Sequence, residues 1–529
     1  MSRVNVNNFG LRYVIESSLG TAPTSGWRSL EPDNVGSYGA SISTEARRPI
    51  SKERGRKKGT VVNLESSVEF DADLTMDAFT DFAEGFVFAE FANKEFDLKE
   101  SDEAPSAEAA TDIFNVDSIS AAFAAKFQDP STGSFTLLYA KGYSNSANNG
   151  LHAVDTAVSS TDTEIEVASS LVDEDPSATS NASLQIAGIR CAIGDLALTV
   201  AGSTATIVSA ADITDWSALG LFAGQYIHVG SDDGSGGRQN MFDDGAAGDV
   251  YGYARITSID GATLNLDKLD VNLSDTDAAN ATVVDIMFGR FLRNVAVTAD
   301  SADEEYLERT YQFEGEYPDL GGVGTDEYEY AVGNYASELS LNLPLNGKAT
   351  ATWSFIGTNT EDITASRKTG PSSAISPLRA TAVNTASGIA SLTTDVISSA
   401  SDVCFKSLTL ALNNNVSPEN CLGTLGASFV NSGLFEVNLE GQMLFTNKAI
   451  VNAVKNNTTV TFAAIMKNDD GAIAVDIPSL TFGGGDREFP QDQSVLVNIT
   501  GEAFNDPSGT IPDVSLGISL FPSVPTDRS

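Results

Sequence analysis

Most of the chain alternates apolar and polar residues with a period of two, as strands buried on one face do. The stretch "VVNLESSVEFDADL" (61–74) sets Val62, Leu64, Val68 and Phe70 between polar neighbours. In "SELSLNLPLNGKATATWSFIG" (337–357), Leu339, Leu341, Leu343 and Leu345 share one face. The chain then meets Asn346–Gly347 and returns through Ala349, Ala351, Trp353 and Phe355. Asn-Gly between two alternating runs is a strong hairpin signal. Segments 433–445, 458–467 and 494–504 keep the same habit. One stretch breaks it. In "DLTMDAFTDFAEGFVFAEFA", residues Phe79, Phe82, Ala83, Phe86 and Val87 recur at helical spacing, which predicts a helix over 74–92. Asp73 or Thr75 suits its N-cap, and Asp77 and Asp81 suit its positive end. The pattern predicts a mainly β, antiparallel protein with one flanking α-helix.

The texture changes between about 106 and 285, where Gly, Ser, Asp and Ala dominate and strands are short. Residues 135–172 and 221–270 share an order of strand, glycine-containing loop, strand and a further short strand. That weak repeat predicts two small β modules inserted into a larger β domain. The chain therefore divides into 1–105, holding a basic loop (44–59) and the helix; 106–285, the inserted modules; and 286–529, the second part of the larger domain.

Charge sharpens this picture. The 529 residues carry 31 Lys and Arg against 72 Asp and Glu, a formal net charge of −41. Tight binding of nucleic acid needs cations at the phosphates, so this balance disfavours it. Yet Arg47, Arg48, Lys52, Arg54, Arg56, Lys57 and Lys58 fall within a single loop bounded by strand-like segments. Pro49, Gly55 and Gly59 mark that loop as a long hairpin connection. Three readings are open: a nucleic-acid-binding or targeting tract, a merely solvated loop, and an inter-subunit assembly arm. The last is preferred, since in a homo-oligomer this positive patch faces many negative surfaces and can pair with acidic loops such as 300–305.

Reactive chemistry is sparse. His152 and His228 lack a Ser, Cys or second His at motif spacing. Cys191, Cys404 and Cys421 are far apart and suit neither a disulfide framework nor a metal motif. The acids Asp232, Asp233, Asp243, Asp244 and Asp249 are oxygen donors, but their spacing matches no calcium loop. A carbohydrate-active cleft is usually aromatic-rich, and three tryptophans supply little of that. No catalytic, cofactor-binding or metal site is expected. The N-terminus shows no signal-peptide apolar run, no segment has the length of a membrane helix, and assembly in a cytoplasm is expected.

Three stretches together resemble siphovirus-type phage tail tube proteins. The first is "LRYVIESSLGTAP…GWRSLEPDNVGSYGASISTEARRPISKERGRKKGTVVNLESSVEFDADLTMDAF". The second begins "IMFGRFLRNVAVTADSADEEYLERTYQFEGEYPDLG" and continues through "YEYAVGNYASELSLNLPLNGKATATWSFIGTNTE". The third is "LTLALNNNVSPENCLGTLGASFVNSGLFEVNLEGQMLF". The resemblance implies a β-sandwich with a flanking helix, six copies pairing strands into a closed inner barrel, and hexameric rings stacked into a tube. It implies a virion protein that meets tail terminator, tape measure and distal tail proteins, with DNA passing along the lumen and no membrane partner. The insert would then decorate the outside. A DNA conduit should repel phosphate, and the polar strand faces carrying Glu65, Glu69, Asp71, Glu338, Glu436 and Glu440 are the expected acidic wall. The alternative is another self-assembling structural protein, such as an adhesin, surface-layer or fibre subunit.

Overall fold

The computed structural model describes residues 5–523 apart from 48–49, 51–56, 97, 99–104, 117–118, 178–179, 232–239, 244–248, 274–275, 302–304, 377–380 and 396–403. The larger domain carries two helices and, besides the short strands Arg28–Leu30 and Arg290–Arg293, fourteen strands of one sixteen-stranded sheet in chain order. These are β1 (Gly10–Ile15), β2 (Asn34–Ala46), β3 (Gly59–Asp73), α1 (Met76–Val87), β4 (Thr310–Gly322), β5 (Thr325–Pro344), β6 (Thr350–Gly357) and β7 (Asn359–Thr360). There follow β8 (Ile389–Thr394), β9 (Phe405–Asn413), β10 (Glu436–Leu444), α2 (Lys448–Asn456), β11 (Thr459–Asn468), β12 (Gly471–Glu488), β13 (Leu496–Ala503) and β14 (Gly517–Phe521). The mainly β character predicted from alternation is what the chain adopts.

A wide antiparallel sheet runs β2–β3–β6–β5–β9–β10–β13–β12. Strands β5 and β12 are long, and their N-terminal halves pair instead with β4 and β11. β1 adds to β4, and β8 adds to β11. Side chains from these outer strands close over the sheet. Phe313 of β4 meets Phe355 of β6 at 4.9 Å between ring centres, and Phe462 of β11 meets Phe405 of β9 at 6.1 Å. The result is a sandwich with one continuous apolar core.

Helix α1 fills that core. Thr75 caps it, accepting from the Ala78 N–H at 3.4 Å, and Phe88 ends it in the left-handed region. Phe79, Phe82, Ala83, Phe86 and Val87 are buried as the spacing predicts, although the helix is shorter than 74–92. Phe82 sits among Tyr13, Phe70, Tyr311, Trp353 and Phe355. The outer face of α1 is a row of carboxylates, each held by a cation from a different part of the chain. Asp77 takes Lys141 at 2.8 Å, Asp81 takes Arg28 at 2.8 Å, and Glu84 takes Arg309 at 2.8 Å. Burial, reinforced by the neighbouring Asp81, drives the Tyr13 hydroxyl well above its usual pKa, so it stays protonated and donates to Asp81 at 2.6 Å.

The second helix, α2, corrects the expectation of a single one. Its sequence "KAIVNAVKN" is amphipathic, with Ile450, Val451 and Ala453 buried, but nine residues are barely two and a half turns, too short a run to stand out from the alternating strands on either side. The 337–357 hairpin forms as predicted, with Asn346 at φ 56°. Leu345 and Val62 nevertheless lie exposed, because each falls beyond the covered part of its strand.

The insert also differs from two separate modules. Segments 135–141 and 150–153 from the first repeat, and 226–229, 252–260 and 263–267 from the second, lie in one nine-stranded sheet over one core. A repeat unit that small cannot bury its own apolar face, and merging removes the deficit. Tyr226, Tyr253 and Phe521 join the insert to Ala472 and Ala474 of β12. At this seam Arg255, 1% exposed, donates to Asp476 at 2.8 Å and to Asp267 at 2.6 Å. The insert is thus anchored by a buried charge triad.

Two outcomes follow. Asp476→Ala leaves Arg255 with Asp267 alone and removes the bond across the seam, which should lower stability by about 1–3 kcal/mol in chemical denaturation; an unchanged midpoint would refute the anchoring role. Phe82→Ala should cost about 3–5 kcal/mol through the cavity it leaves, read as a fall in melting temperature.

Candidate functional site: a polar sheet face without cations

Alternation places every second residue of the wide sheet on the side away from α1. Cross-strand register then arranges these residues into rows. One row reads Glu69, Ser354, Glu338, Asn413, Glu436 across β3, β6, β5, β9 and β10. The next reads Asp71, Thr352, Ser340, Ala411, Asn438, Glu502. A third reads Asp73, Thr350, Asn342, Thr409, Glu440, Thr500. No Lys or Arg stands at any of these positions.

Five of the six acids singled out from sequence therefore fall in three adjacent rows, and the structure brings them together on one face. Glu65 lies on the same side of β3, opposite Ser41, just past the end of the β6 ladder. Glu69 and Glu338 are two strands apart, as are Glu338 and Glu436, a spacing of about 10 Å. That is close to one screening length at physiological salt, so neighbouring carboxylates reinforce one negative field. Sequence inspection missed Asp73 and Glu502, which alternation along β3 and β13 would have revealed.

The face is held by neutral donors. The Thr352 hydroxyl donates to Asp71 at 2.7 Å and the Ser354 hydroxyl to Glu69 at 3.1 Å. Amides of Asn34 and Asn63 donate to Asp71 and Glu65 at 3.2 and 3.0 Å. Among the described residues, none of the six acids forms an ion pair, so their charge is not cancelled locally. At the rim of the face, Lys348 binds Asp33 at 2.9 Å and Asp73 at 2.5 Å. Its hydrogen bond holds the Asp33 carboxyl below the usual range.

The basic loop sits at the tip of the β2–β3 hairpin. The ladder runs out to Ala46 opposite Gly59, and the Lys57 N–H reaches the Arg47 carbonyl at 3.3 Å. Arg47, Lys57 and Lys58 are exposed. Arg48, Lys52, Arg54 and Arg56 lie outside the described residues, as do Asp232, Asp233 and Asp244 of the acidic loop. Ile42 and Val62, on the side of the hairpin that faces the core elsewhere, are more than half exposed. The hairpin therefore extends past the core it grows from.

Both histidines are packing residues. His152 is buried against the Phe114 ring, with Ser169 and the Asn148 carbonyl at its ring nitrogens. Burial lowers its pKa. His228 stands edge-on to Tyr253 with Nδ1 at 2.8 Å from the Gly230 carbonyl. Among the described residues, no helix is long and apolar enough to cross a membrane.

A comparison with curated proteins gives no match. A family model described as phage tail tube protein matches residues 7–503, nearly the whole chain, and the chain accordingly belongs to the phage tail tube protein family.

Proposed function

We propose that this chain is the building block of a hollow tail tube whose lumen is the polar face of the wide sheet. The observation that carries the reading is the row arrangement. Carboxylates, hydroxyls and amides cover a face several strands wide, and no cation interrupts the three rows. Each fixed cation facing DNA would bind phosphate by releasing a counterion. A wall of carboxylates does the reverse and lets the duplex slide. The apolar side, sealed by α1 and the outer strands, makes that wall stiff enough to be a conduit. Copies join edge to edge into closed rings, as open sheet edges require, and rings stack along the axis. The tube is a structural element of the virion tail without turnover. It is built in the host cytoplasm and contacts tail terminator, tape measure and distal tail proteins at its ends and in its lumen.

The basic hairpin tip acts between copies. Seven cations on a chain of net charge −41 are placed where they meet acidic neighbours and set register and orientation. Asp300, which is exposed and bridges to Glu305, is a candidate partner.

Reversing Glu69, Glu338 and Glu436 to Lys should leave tubes intact but slow DNA release by on the order of tenfold or more, through added phosphate contacts. Dye-monitored ejection from assembled virions measures this, and wild-type release would exclude the lumen assignment. Neutralising Arg54, Arg56, Lys57 and Lys58 should keep the subunit folded by circular dichroism. The concentration needed for tube growth should rise roughly tenfold at physiological salt. Tubes forming at the wild-type threshold would exclude the assembly arm.

A further inference from the structure

The order of the wide sheet contains a repetition. Its first half reads β2–β3–β6–β5 and its second half β9–β10–β13–β12. Each half has the same chain path: a pair of strands, a helix directly after the second, a long hairpin, then a return strand. The match extends to the outer strands, since β1 pairs with β4 as β8 pairs with β11, and β7 pairs with β5 as β14 pairs with β12. It also reaches single residues. The β4 ladder is irregular between Tyr311 and Phe313, and the β11 ladder between Val460 and Phe462, each after an opening Thr. Glu65 and Glu69 oppose Ser41 and Ser37, as Glu436 and Glu440 oppose Asn413 and Thr409. The chain is two tandem units, with the insert carried by the first.

The two units meet at β5 and β9, where Glu338 to Pro344 pair with Asn413 to Ser407. Among the described residues, the same strands of the opposite units, β12 and β2, have no strand partner on that side. There, residues 483–488 of β12 pair with β13 alone and β2 with β3 alone, counting described residues. Leu343–Pro344, which closes the internal junction, is matched by Phe489–Pro490 at the open edge. Phe489 is 75% exposed, whereas Leu343 is half-buried beside Leu408.

The geometry points to β12 of one copy pairing with β2 of the next in the register of the internal β5–β9 junction, so that three chains, not six, close each ring. This rests on the tube reading above. By equivalence, Glu488 falls opposite Ser37 and Asp486 opposite Gly39, and Phe489 covers the neighbour's Val35. The ring size follows from magnitude. Strands about 4.8 Å apart and tilted about 40° close at a backbone diameter of about 2 Å per strand. Eight strands per chain then give about 32 Å for two chains, about 48 Å for three and about 96 Å for six. After inward side chains are allowed for, two chains barely admit a duplex and six leave a channel several duplexes wide. Three leave room for one hydrated duplex. The ring of six copies implied by resemblance becomes six units from three copies, with three inserts outside.

The test is a disulfide across the proposed edge. Ser37 and Glu488 are chosen because their internal equivalents, Thr409 and Asn342, touch through side chains at 3.0 Å. S37C and E488C are combined in a chain whose Cys404 and Cys421 are Ser, and tubes are oxidised, then dissolved in denaturant. A ladder of covalent species ending at three chains is expected, with either single variant giving none. A ladder reaching six overturns the stoichiometry, and tubes without cross-links overturn the edge pairing. Microscopy of wild-type tubes gives an independent reading: three external inserts per ring are expected, and six would refute the proposal. Failure to form tubes at all would instead remove the tube reading itself.

Discussion

Everything in this molecule depends on a sheet that is apolar on one face and wet on the other. A two-faced sheet must bury the first face, solvate the second and do something with its edges. Here the first demand is met by α1, α2 and the outer strands, which close a sandwich around Phe82, Phe355 and Trp353. The second is met by rows of carboxylates and hydroxyls. The third is met inside the chain at β5–β9 and left open at β2 and β12.

Charge is divided according to the same logic. Few cations are available, and those resolved mostly tie elements together. Lys141, Arg28 and Arg309 fasten α1 to the insert, the N-terminal segment and the residue just before β4. Arg255 fastens the insert to β12. With these cations committed to the back of the sheet and its seams, the charge on the polar face is carboxylate apart from Lys348 at its rim. A negative face is in that sense a consequence of where the positive charges were needed.

The insert fits this economy of contacts. Its two repeat-like halves share one sheet and one core, and its seam with β12 combines aromatic packing with a buried ion pair. It interrupts the first unit between α1 and β4, where the second unit joins α2 to β11 directly across Asn457 and Thr458. That interruption hides the tandem repeat from inspection of the chain, because equivalent residues lie at two different sequence offsets before and after it.

Local pattern determined much of the fold. Period-two alternation marked β3, β5, β6, β10 and β13, helical spacing marked α1, and Asn346–Gly347 marked a turn, because each depends only on near neighbours. The acids Glu65, Glu69, Glu338, Glu436 and Glu440 were likewise readable as polar members of alternating strands. What the sequence left open was which strands lie side by side. Pairing partners such as Glu338 and Asn413 are far apart in the chain, and register is fixed by packing against a shared core, not by local preference. Only the tertiary structure therefore put the acids into rows, merged the insert into one sheet and exposed the matched order of the two units. Glu65–Glu69 and Glu436–Glu440, or Leu343–Pro344 and Phe489–Pro490, share little more than side-chain class. Their equivalence is a property of strand neighbours, which a linear chain does not display.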